Sequence, residues 1–408
     1  MLSLNEEIQS RKNLSAFTAK ESIYVALAPV LWGTIMQQFL LYRGVSPTLV
    51  GLYTTLVSGV QMAAMMLLSW VAEKVKDPLK FCTGIMGAST LIAALYLPII
   101  GWDLGSIWTM VLVCVMSVAH LSLHSCKYIC DYRINYQIVS PQRYGAMIFL
   151  ASALTGVAGI GFSALFSYMV DNNTGGNPYF ICMLLAVILL AVTVFFNSRL
   201  KSIYPVPKPK GQFTGLGEQL KLLMNTRSFR QLLIPNLLRG ITLSITGCIV
   251  LIALVMGIDE SGRAKIPLVC ALATALASVV YMLLKKWLSV GAINIIGGVL
   301  TCAMIFLPWN NSFGFLVLFF VAYLGRIIVD NAVPTMLFPI IEPEIAGFYN
   351  AWRSVLYGVC GIIVTPIISA LVEVVHPLWL LTPGALAYLI VTVWYYIVCK
   401  RLTVKPNI

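Results

Sequence analysis

The chain has 408 residues, of which 59% are hydrophobic and only 10% are charged, and its formal net charge is +12. A soluble domain carries about 25% charged residues because its surface must be hydrated. This composition excludes an ordinary water-soluble fold and predicts that lipid surrounds most of the chain. Several of the ten cysteines lie in apolar runs, without the spacing of a disulfide framework or a zinc ribbon.

Twelve apolar segments are long enough to cross the hydrocarbon core, which needs about 20 residues per helix. The first six predicted spans are 22–42, 48–71, 81–101, 106–137, 145–170 and 178–198, and the second six are 229–256, 266–284, 288–308, 313–341, 346–372 and 377–399. The predicted fold is therefore an all-α integral membrane protein. Its predicted parts are an N-terminal six-helix bundle (1–198), a linker (199–228) and a C-terminal six-helix bundle (229–408).

Basic residues are distributed unevenly between the two sides of the predicted bundle. Of the Lys and Arg residues, 19 lie in the tails and loops on the side of the termini, 3 lie on the other side and 5 lie within spans. Cytoplasmic loops of membrane proteins carry this excess. We therefore expect both termini in the cytoplasm. The short outer loops favour the cytoplasmic (inner) membrane, and the basic charge reflects topology, so no nucleic-acid partner is expected.

Two segments of the chain match at an offset of 202 residues. Ser152–Gly159 in the fifth span aligns with Ser354–Gly361 in the eleventh, and the same offset pairs Pro141 with Pro343. Small residues spaced i, i+3 are what close helix packing in lipid requires. The repeat predicts two halves related by a pseudo-two-fold axis.

The twelve spans, the basic central loop and the repeat resemble the major facilitator superfamily of transporters. The family pattern after span two is Gly-x-x-x-Asp-Arg-x-Gly-Arg-Arg; here Glu73 stands at the acidic position and Lys74 at the next basic one, while both glycines are absent. The arginine usual in span four is also absent, with Ser117 at about its position. The resemblance implies a monomeric secondary transporter with Glu73 and Lys74 as gating residues. A solvated charged turn is the alternative.

A polar stripe runs along the fourth predicted span and consists of His120, His124, Lys127 and Asp131. At about 100° per residue their spacing puts them within roughly a 60° arc of the helix. Ionisable residues inside a span are costly and therefore mark functional sites. The stripe predicts the wall of a water-filled cavity. The alternative is a structural network in which Lys127 and Asp131 form a satisfied pair.

The second half offers a counterpart to this stripe. Arg326 and Asp330 share one face of the tenth span, and at the 202-residue offset Arg326 corresponds to His124. Arg239 lies within the seventh span. Arg353, nearer the cytoplasmic end of span eleven, is expected to gate or to anchor that helix. Further polar candidates are Gln37 in span one and Asn350 and Trp352 in span eleven.

The predicted spans contain five basic residues and two acidic ones. An anionic organic solute such as a carboxylate or an organophosphate would complement this surplus, because Arg makes bidentate contacts with such groups. We therefore expect a secondary active transporter for a small anionic solute. An exporter of amphiphilic drug-like or lipid-like compounds is the alternative. The expected substrate contacts are Lys127, Arg326, Arg239, His124, Gln37, Asn350 and Trp352.

Coupling to a proton requires a group whose charge changes during the transport cycle. Asp131 and Asp330 are the carboxylates within the predicted spans, and histidine titrates near physiological pH without much help. We therefore expect Asp131, Asp330 and His120 to include the coupling group. The expected partners are a small solute, protons or another ion, and the lipid bilayer.

Other function classes find less support in the sequence. The chain has no nucleophile elbow, no His-Glu-x-x-His motif and no phosphate-binding glycine loop, so neither an enzyme nor a cofactor is expected. His120 and His124 at i, i+4 would suit a metal, with Asp131 on the same stripe. Lys127 between them would repel a cation, and no metal site is predicted.

Overall fold

The computed structural model of the chain describes residues 4–139, 141–172, 177–204, 216–309, 311–337, 340–342, 345–372 and 374–404. Every regular element within these residues is helical. The first half contains α1 (Leu4–Ala26), α2 (Ala28–Leu31), α3 (Thr34–Tyr42), α4 (Pro47–Lys74), α5 (Pro78–Ala94), α6 (Tyr96–Gly101), α7 (Gly105–Ile138), α8 (Pro141–Asp171) and α9 (Pro178–Ser198).

The linker region contains α10 (Leu216–Asn225), and the second half follows it. Its helices are α11 (Arg227–Gly247), α12 (Ile249–Val255), α13 (Glu260–Ala264), α14 (Ile266–Leu284), α15 (Val290–Thr301) with a 3-10 continuation (Cys302–Trp309), α16 (Ser312–Leu337), α17 (Ala346–Leu371) and α18 (Pro377–Val404). In the described residues, 11 spans are long and apolar enough to cross a membrane, and α11 with α12, bent by 49°, make a twelfth. The predicted all-α membrane fold is confirmed.

Capping chemistry fixes where the spans begin. The Ser46 side chain accepts a hydrogen bond from the Leu49 backbone N–H, and Pro47 occupies the first position of α4. Asn177 caps α9 in the same way, with Pro178 at its first position. The first N–H groups of a helix have no intrahelical acceptor, so a capping side chain and a proline without an N–H both suit this position.

The first span begins earlier than the sequence predicts. The membrane-length apolar stretch runs from Glu7 to Tyr42 through α1, α2 and α3, whereas the predicted start is residue 22. Lys20 and Glu21 interrupt the hydropathy pattern, and yet the Lys20 side chain is fully buried and that of Glu21 is only 17% exposed. Lys20, assigned by sequence to the cytoplasmic tail, therefore belongs to the bundle.

The same helix pairs recur in the two halves. In the first half α5 packs on α7 and α9, and α1 packs on α8 and α9; in the second half α15 packs on α16 and α18, and α11 packs on α17 and α18. Between the halves, α4 packs on α17 and α8 packs on α14. A two-fold operation exchanges these two contacts, since it takes span two to span eight and span five to span eleven. The packing therefore has the pseudo-two-fold symmetry that the repeat predicts.

Two glycines of the repeated segments bring the halves into close contact. A Cβ added to Gly156 of α8 would lie 2.3 Å from the backbone nitrogen of Ala275 in α14. A Cβ added to Gly358 of α17 would lie 2.5 Å from the Cβ of Met62 in α4. Neither distance is compatible with a side chain, so these positions require glycine for the helices to approach this closely. The repeat therefore marks the seam between the halves.

The seam gives a first prediction. Gly156→Ala should lower the midpoint of thermal unfolding in detergent, because overpacking costs about 1–3 kcal/mol. Gly161→Ala on the same helix is the control, because its Cβ would meet nothing within 4 Å. There alanine gains about 1 kcal/mol in helix propensity, so the midpoint should stay or rise. A Gly156→Ala midpoint as high as that of the control would contradict the close packing at the seam.

Candidate functional site

Four charged side chains of α1 and α7 form a ring of ion pairs inside the first half. Lys127 Nζ lies 2.7 Å from Glu21 Oε1 and 2.6 Å from Asp131 Oδ2. Lys20 Nζ lies 3.0 Å from Glu21 Oε1 and 2.6 Å from Asp131 Oδ1. We call this set the four-charge cluster. Its two cations and two anions cancel, which is what removal from water demands of buried charges.

The two histidines of the predicted stripe lie beside this cluster. The His124 ring stacks on Tyr24 with centroids 5.6 Å apart, and its Nδ1 lies 3.3 Å from the Tyr24 hydroxyl. The Trp32 ring lies 4.8 Å from His124. His120 is fully buried, with its Nδ1 3.3 Å from the Ser89 hydroxyl. The predicted stripe thus has two parts. His120 and His124 contact aromatic and hydroxyl side chains, whereas Lys127 and Asp131 belong to the four-charge cluster.

The second half brings Arg239, Arg326 and Asp330 together, and we call these three residues the arginine cluster. Arg239 Nη2 donates to Asp330 Oδ1, and Arg326 Nε lies 3.5 Å from Asp330 Oδ2. Arg239 also donates to the Tyr357 hydroxyl at 3.2 Å, and that hydroxyl donates to Asn236 Oδ1 at 3.1 Å. In these ion pairs two guanidinium groups share one carboxylate, so the cluster carries a net positive charge.

The arginine cluster is only partly shielded from solvent. The side chains of Asp330 and Arg326 are 26% and 19% exposed, whereas that of Arg239 is 6% exposed. Arg326 Nη1 donates to the Thr246 hydroxyl, and its guanidinium lies 5.2 Å from the centre of the Tyr323 ring. A solute between the helices would therefore meet Arg326 and Asp330 first, with Arg239 behind them.

The remaining predicted site residues lie outside both clusters. Gln37 is buried at the seam, where its amide donates to the Gly247 backbone carbonyl at 2.9 Å and to Thr54 at 3.2 Å. Trp352 packs against hydrophobic cores of both halves. Asn350 and Arg353 are buried on α17. The predicted gating residues Glu73 and Lys74 end α4, and their side chains lie outside the described residues.

The halves also touch on the side opposite the termini. The Ser261 hydroxyl donates to Asp171 at 2.6 Å, and the Gln38 amide donates to the Arg263 backbone carbonyl at 3.1 Å. A pocket of about 520 Å³ opens beside Gln38, with residues from both halves in its wall. Such a volume is within the range of small-molecule pockets. Polar contacts therefore join the two halves on this side.

The structure corrects the sequence-based count of embedded charges. That count gives five basic and two acidic residues within the spans, but Lys20 and Glu21 are also inside the bundle. The four-charge cluster is therefore balanced, whereas the ion pairs of the arginine cluster leave a positive surplus. One signal in the sequence points to Lys20 and Glu21. Lys127 and Asp131 are charges within the membrane and need further partners, and in the structure α1 supplies them.

The described residues form no evident metal site. No group of three His, Cys, Asp or Glu side chains among them lies close enough to hold a metal ion. His120 contacts Ser89 and His124 contacts Tyr24, so the two rings face different partners. The cysteines are free thiols, most of them buried.

The spans form a helical membrane fold of two contacting halves. The chain is similar in structure to a bacterial homologue of the iron transporter ferroportin, solved in an outward-facing state. The TM-score is 0.71 at 13% identity, and the match covers 97% of this chain and 99% of that chain. At this identity the likeness shows a shared fold. No protein-family profile and no curated protein sequence matches this chain.

The four-charge cluster gives a second prediction. Asp131→Asn leaves two buried lysines with one carboxylate, which should destabilise the protein by about 3–5 kcal/mol. Adding Lys20→Met to this variant restores neutrality and should recover much of the loss. Asp103→Asn is the control, because the Asp103 side chain is 90% exposed in its pair with Arg43. Thermal unfolding in detergent measures all three, and equal midpoints for Asp131→Asn and the control would contradict the cluster.

Proposed function

We propose that this chain is a secondary active transporter that moves a small anionic organic solute across the cytoplasmic membrane by alternating access. One observation supports this proposal above the others: two guanidinium groups of the arginine cluster share a single carboxylate. A positive site inside a membrane bundle is stabilised by water or by a visiting anion. Planar guanidinium groups bind carboxylates and phosphates in pairs of hydrogen bonds, which suits a solute of that class.

The proposed contacts start from Arg326. Its partial exposure lets a solute reach it, and the solute would compete with Asp330 for the guanidinium. Arg239 lies behind and holds the other oxygen of Asp330, so a bound anion meets a pre-oriented pair of donors. His124, Gln37, Asn350 and Trp352 remain proposed contacts of the same solute. Lys127, which already lies between two carboxylates, contributes to binding when one of those carboxylates loses its charge.

Alternating access is supported by the way the halves meet. They are joined through glycine-rich seams of α4 with α17 and of α8 with α14, and through polar contacts on the side opposite the termini. Seams of this kind allow one half to rock against the other around a site near the midplane. We propose that protons drive the cycle, that both termini lie in the cytoplasm and that a single chain is the transporting unit.

The rival proposal, an exporter of amphiphilic compounds, draws on the aromatic side chains beside the four-charge cluster. Trp32 and Tyr128 are partly exposed next to His124, and such a wall suits a lipophilic cation. The neutral balance of the adjacent four-charge cluster, however, offers no free anion to attract one. The arginine cluster therefore favours the anion.

The third prediction tests the substrate class. Purified protein is heated with gluconate, citrate or glycerol 3-phosphate, with the cations tetraphenylphosphonium or ethidium, and with neutral glucose. At least one anion should raise the unfolding midpoint, and Arg326→Gln should weaken its binding by about 10- to 100-fold, since a charge-assisted hydrogen bond contributes about 1.5–3 kcal/mol. Arg326→Lys keeps the positive charge but not the paired donors of the planar guanidinium group. Its affinity for the anion should therefore lie between those of the wild type and Arg326→Gln.

Arg199→Gln is the matched control, because Arg199 is an exposed arginine at the end of α9. It should leave anion binding unchanged. Stabilisation by tetraphenylphosphonium or ethidium alone would contradict the anion proposal and favour the exporter.

A further inference from the structure

The four-charge cluster contains a carboxylate that the sequence analysis does not consider. Glu21 lies at the edge of the cluster, and its side chain is 17% exposed, against 8% for Asp131 and 2% or less for the two lysines. Both lysines contact Glu21 through the same oxygen, Oε1. Among the described residues Glu21 Oε2 takes part in no hydrogen bond. This oxygen can therefore take a proton without the loss of an existing hydrogen bond.

We propose that Glu21 carries the coupling proton, and that protonation of Glu21 releases Lys127 to bind the anionic solute. This inference rests on the proposed transport of an anion. The step is a simple acid–base reaction: a proton from water bonds to Oε2, and the carboxylate becomes a neutral carboxylic acid. The cluster then changes from a net charge of zero to +1. An anion near Lys127 restores neutrality, so the proton and the solute favour each other's binding.

The other titratable groups are less suited to this role. Asp131 uses both of its oxygens, since Oδ1 contacts Lys20 and Oδ2 contacts Lys127. His120 is fully buried against Ser89 and touches no member of the cluster. Asp330 lies between two guanidinium groups that would lose their shared partner if it were neutralised.

The titratable side chains that surround Glu21 come from α1, α5 and α7. Helix α1 itself supplies Lys20 and Tyr24, and α7 supplies Lys127, Asp131 and His124. Helix α5 supplies Cys82, whose sulfur lies 3.9 Å from Asp131. Helix α8 has no charged residue between Arg143 and Asp171, and α9 has none along its length. The two lysines therefore determine the charge state to which Glu21 responds.

The same geometry explains how Lys127 can act in two ways. Its ammonium group lies between Glu21 and Asp131, and 4.4 Å from the centre of the Tyr24 ring. While both carboxylates are charged, Lys127 is neutralised and an anion gains little from it. When Glu21 is neutral, Lys20 and Lys127 share Asp131 alone. That state has the same two-cation, one-anion composition as the arginine cluster of the other half, so the two clusters become alike in charge.

Proteoliposome transport with Glu21→Gln tests this proposal, because glutamine resembles the protonated acid and cannot release a proton. Labelled gluconate, citrate and glycerol 3-phosphate are used as solutes, with two readouts: accumulation driven by an inward proton gradient, and exchange against the same unlabelled solute. Glu21→Gln should lose accumulation by about tenfold or more, and it should keep exchange. Anion binding to this variant should also no longer depend on pH.

Two further variants serve as controls, one for the chemical change itself and one for loss of stability. Glu7→Gln makes the same chemical change on the same helix, at a side chain that is 40% exposed, and it should accumulate solute like the wild type. Glu21→Gln with Lys20→Met leaves a neutral Lys127–Asp131 pair, so it should fold even if the single variant is unstable, and it should still lack proton-driven accumulation.

The outcomes separate this inference from the proposed function. If the wild type and the Glu21 variants all accumulate an anion under a proton gradient, the transporter proposal stands and Glu21 is not the coupling residue. If the wild type neither accumulates nor exchanges any of the anions, the proposed function fails, and the role of Glu21 fails with it. Loss of accumulation together with loss of exchange in a Glu21→Gln protein that keeps the wild-type unfolding midpoint would also overturn it, since Glu21 would then be required for binding instead of coupling.

Discussion

A charge inside the hydrocarbon layer must have a partner of opposite sign or access to water, and this constraint organises both halves of the chain. In the first half it is met completely, because Lys20 and Lys127 alternate with Glu21 and Asp131 around a closed ring. In the second half it is met in part, because Arg239 and Arg326 depend on Asp330 alone in their ion pairs. The difference between a closed and an incomplete set of pairs is the physical basis of the proposal that an anion binds at the arginine cluster.

The constraint also links the charges to the fold. The four-charge cluster joins α1 to α7, and the arginine cluster joins α11 to α16 and α17. Both clusters therefore lie within a half and not across the seam. The seam itself is made of close glycine contacts and neutral packing, such as Gly156 against Ala275. Halves that each contain internal ion pairs, and that meet mainly through close glycine contacts and neutral hydrogen bonds, are suited to move as units.

Much of this architecture follows from the sequence because it depends on local pattern. Apolar length predicts the spans, and the repeat predicts two related halves with close helix packing, which Gly156 and Gly358 provide. Hydropathy does not predict the start of the first span, because Lys20 and Glu21 have the character of a polar tail. Their burial becomes visible only when α7 supplies the opposite charges, and that pairing spans more than a hundred residues of chain. The partners of Arg239 on α16 and α17 are hidden from the sequence for the same reason.

The direction of proton movement that accompanies a solute tests the central claim most directly. A pH-sensitive dye sealed inside proteoliposomes reports this direction when gluconate, citrate or glycerol 3-phosphate is added outside, with protein-free liposomes as the reference. The account predicts that an anion enters together with protons, so that the lumen becomes more acidic. The account would be contradicted if none of these anions gave a response while tetraphenylphosphonium did. Its exit from preloaded liposomes in exchange for protons would make the lumen more acidic, and its entry against protons would make the lumen more alkaline.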